Sequence, residues 1–328
     1  MKCYLDCSFA DQVKVLLPFR ELHRATSGLF NDSGWLTIAF PGDRKTIFTQ
    51  GERTFELESE ELPEEFPLFP DLAIFQSIAS AHAGPMATAM DYAASFASTD
   101  KSKATLQHVA MELGKASLRF VGADGFKLGY ATVDSFVSSD PEMFLLSTDV
   151  IRGMLPVLDP RWRLSIYRRE KTIAFGQPQV EVWHVCDDGK YPGYRAVIID
   201  GAALEVSVPS KPFLKAVKQL GPLVQGNGIS LEGLTQEGFR LSTTGENSKA
   251  SIAVEVNGFD GEQEAFDALV NRAYLESILI KMTKGINTDE VKILASGPDK
   301  PIVVSPTSLP ANFLDAFAMV MPIRKWSR

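Results

Sequence analysis

The 328 residues carry 45% hydrophobic and 23% charged side chains, with a net charge of −8. That composition excludes a chain disordered throughout, and the length fits two or three domains. The acidic balance argues against a protein that coats nucleic acid with its whole surface, while leaving room for one basic face on an acidic body. No apolar run approaches the roughly 18–20 residues of a membrane-spanning helix. Residues 1–12, with Asp6 and Asp11, lack the apolar core of a secretion signal. Cys3, Cys7 and Cys186 make no disulfide framework and point to a reducing, cytoplasmic setting.

Taken in chain order, the predicted elements begin with an alternating run at residues 13–17 (VKVLL). A helical stretch, PFRELHRATSGLF, a strand, WLTIAF, and a strand from Lys45-Thr46-Ile47-Phe48 follow. The acidic ELESEELPEE reads as solvated loop, and the Pro-rich residues 62–72 as a domain junction. A second unit follows, with a helix near residues 86–96 and then KATLQHVAMEL, KASLRFVGAD and KLGYATV. The first pattern returns as Met143-Phe144-Leu145-Leu146, STDVIRGMLPVLD, RWRLSIY and Lys171-Thr172-Ile173-Ala174. Beyond a junction near Asp200, the second unit returns as SKPFLKAVKQLGPLV, GISLEGL, GFRLSTTGE and ASIAVEV. The first pattern then closes the chain with residues 265–270, NRAYLESILIKMTKG, EVKILA and Lys300-Pro301-Ile302-Val303.

The Lys-X-Ile landmarks of the three copies lie 126 and then 129 residues apart, the period of a domain repeat rather than a solenoid. The expectation is an α+β chain of repeated units, each reading strand, helix and several strands, with helices on one face of antiparallel sheets. The domain boundaries expected are 1–70, 71–200 and 201–328.

Enzyme chemistry finds little support. The chain has no GxxxxGK[ST], HExxH or GxSxG. Gly226-Asn227-Gly228 lacks the third glycine of a dinucleotide fingerprint and reads as a hairpin turn. His184 and Cys186 share one face of an alternating strand and could offer two metal ligands. No second pair stands nearby, so they read as packed strand residues. No catalytic residue, metal or cofactor is expected.

Basic charge, by contrast, collects on the helices. The five helical stretches sum to +5 in a chain of −8, and Lys211, Lys215 and Lys218 recur at i, i+4 and i+7 as one stripe. If the helices share one surface, Arg20, Arg24, Arg152, Lys211, Lys215, Lys218, Arg272, Lys281 and Lys284 would give that surface an attraction for phosphates. Contact would then be independent of sequence and weakened by salt.

Three motifs carry a family resemblance. Ala123-Asp124-Gly125-Phe126-Lys127-Leu128 resembles the Thr-Asp-Gly-His-Arg-Leu turn of the bacterial sliding clamp, the beta subunit of DNA polymerase III. Lys190-Tyr191-Pro192-Gly193-Tyr194-Arg195 resembles that family's Phe-Pro-Asp-Tyr-Arg, and Val320-Met321-Pro322-Ile323-Arg324 its C-terminal Val-Met-Pro-Met-Arg. The resemblance covers the chain from about Val13. It implies the DNA clamp fold of βαβββ halves, with sheets outside and helices lining a hole around duplex DNA. It also implies a non-catalytic processivity factor with a clamp loader, and a polymerase or repair protein bound by a short peptide.

By the same resemblance, the peptide pocket is lined by Leu106, Gly125, Phe126, Lys127, Leu128, Pro192, Val197, Met319, Met321, Pro322 and Ile323. Apolar, Met-bearing pockets suit several linear motifs. The turn carries Ala123, Phe126 and Lys127 where the family has Thr, His and Arg. Ala196 stands where an Arg often lines the pocket. Against the family's three domains the chain starts near the middle of the first, so a truncated first domain is expected. Head-to-tail assembly, a homodimer before a trimer, would use Arg53 and Phe55 against Leu223 and Val224. The alternative is a clamp-derived peptide-binding module that does not encircle DNA.

Overall fold

The computed structural model describes residues 2–3, 17–28, 35–42, 44–58, 70–198, 201, 203–223, 227–235, 237–245, 248–261, 267–297 and 299–323. The chain divides into two compact units, Leu5–Ile74 and Phe75–Arg328, the latter with Met1–Tyr4. The short strand β1 (Lys2–Cys3) therefore belongs to the large unit.

The small unit holds α1 (Phe19–Gly28) and the antiparallel meander β2 (Thr37–Gly42), β3 (Lys45–Gln50) and β4 (Arg53–Glu58). Strand alternation gives it an apolar side. Ile38, Phe48 and Phe55 stand opposite one another across the three strands, as Leu57 does Thr46. Phe48, Leu57 and Ala25 of α1 are buried, while Arg20 and Arg24 are exposed.

The large unit contains two repeats of the same design. The middle repeat runs β5 (Gln76–His82), α2 (Ala83–Ala94), β6 (His108–Leu113), β7 (Ser117–Ala123), β8 (Lys127–Asp134) and a short β9 (Phe136–Val137). It continues with β10 (Met143–Ser147), α3 (Thr148–Met154), β11 (Arg163–Arg169), β12 (Thr172–Gln177) and β13 (Val180–Val185). The C-terminal repeat runs β14 (Leu204–Pro209), α4 (Ser210–Leu220), β15 (Gly228–Thr235), β16 (Gly238–Thr244), β17 (Lys249–Val254) and β18 (Gly258–Gly261). It ends with β19 (Ala268–Asn271), α5 (Arg272–Ile280), β20 (Glu290–Ala295), β21 (Ile302–Pro306) and β22 (Phe313–Val320).

Within each repeat the two βαβββ halves exchange their first strands. β5 pairs with β11 and β10 with β6; β14 pairs with β20 and β19 with β15. Neither half completes its sheet alone, which makes the pair of halves the folding unit. The two repeats are joined by β8–β22 pairing into one nine-stranded antiparallel sheet, with Lys127 opposite Val320 and Leu128 opposite Met319. β1 adds to the edge of β13 in the six-stranded sheet.

Helix α2 is Ala- and Met-rich because it lies almost on the backbone of β7 and β8. Gly122 and Gly129 are cross-strand partners beneath it. A Cβ on Gly122 would sit 1.9 Å from the Ala93 carbonyl oxygen, and one on Gly129 would sit 2.4 Å from the Phe96 ring. Gly122→Ala is expected to cost about 3 kcal/mol through overpacking, measured as a lowered urea midpoint with unchanged slope. Ser147 caps α3 through Asp149 N, and Asn271 caps α5 through Ala273 N and Tyr274 N. Helix α5 continues into a π turn, Lys281–Ile286, that ends at Asn287 with φ of 59°.

The hairpin expected at Gly226-Asn227-Gly228 is a correction. β15 begins at Gly228, and the described element before it is the helical turn Gly221–Leu223 after α4. Gly226 lies outside the described residues; Gly228 opens a strand that follows a helix, and the turn chemistry of such a connection looks in sequence the same as a hairpin's. No described helix is long and apolar enough to cross a membrane.

Candidate nucleic-acid and peptide surfaces

Helix α4 buries Phe213, Leu214, Ala216, Val217 and Leu220, so its 3.6-residue period turns Lys211, Lys215 and Lys218 outward. With Lys284 of the π turn they line a groove of about 740 Å³, whose walls also include Leu214, Gln219, Thr283 and Asn287. Lys211 Nζ lies 3.1 Å from the exposed Asp289. Lys215, Lys218 and Lys284 have no ion-pair partner among the described residues.

The other cations expected to face DNA are placed differently. Arg272 pairs with Glu276 one turn on, against Gly221. Lys281 is 2.5 Å from Asp91, the one charged residue of α2, and so ties α5 to the middle repeat. Arg152 pairs with Asp149 at 3.6 Å and lines a separate polar cleft of about 380 Å³ with Lys103, Asp124, Phe126, Lys127 and Tyr274. Arg20 and Arg24 are exposed on α1 of the small unit. The free positive charge of the large unit's helices thus concentrates on α4 and the π turn, whereas α2 contributes none.

An apolar strip gathers at the seam between the repeats. Asp124 Oδ1 accepts from Phe126 N and Lys127 N, both at 2.8 Å, and Gly125 takes φ of +94°, so the turn holds Phe126 out with 57% exposure. Met321 N donates to Phe126 O at 2.8 Å, and Ile323 N to Leu269 O at 2.7 Å. Leu128 and Met319 are buried in one cluster with Tyr191 and Tyr194, and Leu106 packs against it. Phe126, Val197, Met321 and Ile323 remain exposed, as does Pro192, while Pro322 is half-buried.

Lys127 turns away from this strip. Its Nζ donates to Ser95 O, just past the end of α2, at 2.6 Å, and lies near the Phe96 and Tyr274 rings. Burial lowers its pKa. Lys103, which sequence reasoning did not single out, donates to Asp124 O at 2.8 Å and sits 5.0 Å from the Phe126 ring centre. No local pattern in the sequence marks it.

Arg53 is exposed and Phe55 half-buried on β4, an edge of the small unit's sheet. Leu223 is 51% exposed, and Val224 lies outside the described residues. β17 is likewise an edge of its four-stranded sheet.

His184 Nε2 is 3.0 Å from Leu145 O, and burial lowers its pKa. Burial also pushes the Cys186 thiol up to about 11, keeping it protonated at neutral pH. Iodoacetamide at pH 7.5 is therefore expected to alkylate Cys186 at least about tenfold more slowly than free cysteine, read by peptide mass mapping.

No family model and no curated protein matches the chain. Solved structures do. The DNA polymerase III beta subunit of Thermotoga maritima superposes with a TM-score of 0.82 at 20% identity, over 97% of this chain and 83% of that one. The DNA polymerase sliding clamp of Bacillus subtilis gives 0.79 at 18% identity, over 94% and 80%. That of Pseudomonas aeruginosa gives 0.77 at 20% identity, over 94% and 81%. The chain therefore has the fold of a DNA polymerase sliding clamp.

Proposed function

We propose that the protein is a non-catalytic sliding clamp: it encircles duplex DNA, contacts the backbone through the α4 groove, and tethers a polymerase or repair enzyme. The observation that carries this reading is the concentration of unpaired lysines on one helical face of a clamp fold whose net charge is negative. A grip of this kind reads phosphates and not bases, and it permits sliding. Because a closed ring holds by topology, a few contacts suffice.

Closure follows a pairing rule seen inside the chain. β8, the third strand after the helix of a first half, pairs with β22, the third strand after the helix of a second half. β17 and β4 occupy the corresponding positions, and each is an edge of its own sheet. Pairing β17 of one copy with β4 of the next builds a head-to-tail assembly, with Leu223 and Phe55 at its margins. A homodimer is the smallest closed form of such an assembly. Light scattering at micromolar concentration tests this directly: a dimer supports closure, and a clean monomer contradicts it.

The partner segment binds the apolar strip of Phe126, Leu106, Leu128, Val197, Met319 and Met321. Such a surface takes an extended peptide with a few apolar anchors. With Lys127 turned in and Ala at position 196, neither of these positions adds a charge to it, while Lys103 stands 5.0 Å from the Phe126 ring centre. Phe126→Ala together with Met321→Ala is expected to weaken partner capture by about 2 kcal/mol or more, without altering DNA retention. Pull-down of the cognate polymerase and duplex binding, measured on the same preparation, check both halves of that statement.

A further inference from the structure

The segment 191–198 crosses the seam between the two repeats as a strap. Tyr191 and Tyr194 are buried against Val121 and Leu145 of the middle repeat and against Phe317 and Met319 of the C-terminal repeat. The strap's backbone hydrogen bonds run within itself: Tyr194 N to Pro192 O, Ala196 N to Gly193 O, and Ile198 N to Arg195 O. Side chains fasten it to the sheet. The Tyr191 hydroxyl donates to Val121 O at 3.4 Å, while the Tyr194 hydroxyl and the Arg195 guanidinium both donate to Glu112 Oε2, at 2.9 and 2.5 Å. Arg195 also lies 5.0 Å from the Tyr194 ring centre.

Glu112 is an odd residue for its place. It lies within β6, is only 8% exposed, and its Oε1 has no hydrogen-bond partner. A buried carboxylate with an idle oxygen is costly, and an apolar residue of similar volume would serve the sheet at least as well. What an apolar residue would not do is collect two donors from the strap. Of the two wall residues of the apolar strip, Pro192 lies just before the turn those donors anchor and Val197 is its last residue.

We propose that Glu112 is a positioning residue for peptide binding: through Tyr194 and Arg195 it fixes the strap so that Pro192 and Val197 form one wall of the apolar strip. The inference rests on the peptide-binding reading of that strip. It concerns the carboxylate behind the wall, which a bound peptide does not touch.

The test uses the full chain, the three anchor variants Glu112→Gln, Tyr194→Phe and Arg195→Met, and Val197→Ala alone and combined with Glu112→Gln. The probe is a fluorescein-labelled Ser-Leu-Ser-Leu-Phe peptide, which presents two leucines at alternate positions and a C-terminal phenylalanine as apolar anchors. Glu112→Gln is expected to lose about tenfold or more in probe affinity while its melting temperature stays within about 3 °C. Without probe, amide exchange over residues 194–198 should speed by about tenfold, since the turn opens locally. Val197→Ala should cost markedly less affinity in the Glu112→Gln background than alone, a non-additivity that a general loss of stability would not produce. If Glu112→Gln does not fold, Tyr194→Phe, which removes one oxygen, decides by the same readouts. Wild-type binding with all three anchor variants within twofold overturns the positioning role alone. A wild-type chain that does not bind the probe overturns the peptide reading, and the positioning role with it.

Discussion

Replacing Lys211, Lys215 and Lys218 together by Glu lowers affinity for duplex DNA by about a hundredfold or more near 0.1 M salt and reduces the slope of log K against log salt by about 3. Each phosphate contact removed takes its released counterions with it, and the new carboxylates repel the backbone. The three side chains are exposed on the outer face of α4, so the fold should tolerate the change, with each substitution within about 0.5 kcal/mol. Lys211 contributes least because Asp289 already offsets it. Arg272→Gln and Lys281→Gln serve as contrasts. Their charges are engaged by Glu276 and Asp91, so each loses about 1 kcal/mol or less of stability and little DNA affinity. Unchanged duplex binding in the triple lysine variant, followed by polarisation across a salt series, contradicts the basic-groove assignment.

Leu223→Asp is expected to raise the dissociation constant of the assembly by about a hundredfold or more. Leu223 is 51% exposed at the end of α4, so a charge there costs nothing in the isolated protomer but is desolvated if another copy covers it. Phe55→Asp should act in the same direction from the other side. Its ring lies 6.5 Å from that of Phe48, so part of its effect will be on the small unit's own packing. Leu223→Asp is therefore the cleaner probe. Light scattering across a concentration series reads the shift, and an unchanged mass in both variants removes β4 and the end of α4 from the interface.

What was legible in the sequence was periodic. Alternation in strands such as residues 117–120 and the lysine stripe of α4 follow from local geometry, and both are where the pattern placed them. The strand exchange between halves was not legible, because β5–β11 and β10–β6 pairing is a property of the assembled repeat and leaves no mark on either strand alone. Charge availability was also hidden. Lys281 looks as free as Lys284 in the sequence, but its partner Asp91 is 190 residues away. Lys127 reads as a pocket cation by motif, yet Ser95 O, contributed from just past the end of α2, draws its ammonium away from the apolar strip. The Asp124-Gly125 turn was legible through the family motif, and the structure forms it as an Asx turn with a positive-φ glycine.

Encirclement itself is tested most directly by DNA topology. Protomers diluted until the assembly dissociates, mixed with a nicked plasmid circle and then concentrated, should close around it. A ring predicts protein retained on the circle at about 0.5 M salt, where simple phosphate contacts fail, and released once the circle is cut with a restriction enzyme. Equal retention on circular and linear DNA, or equal loss from both, contradicts a ring.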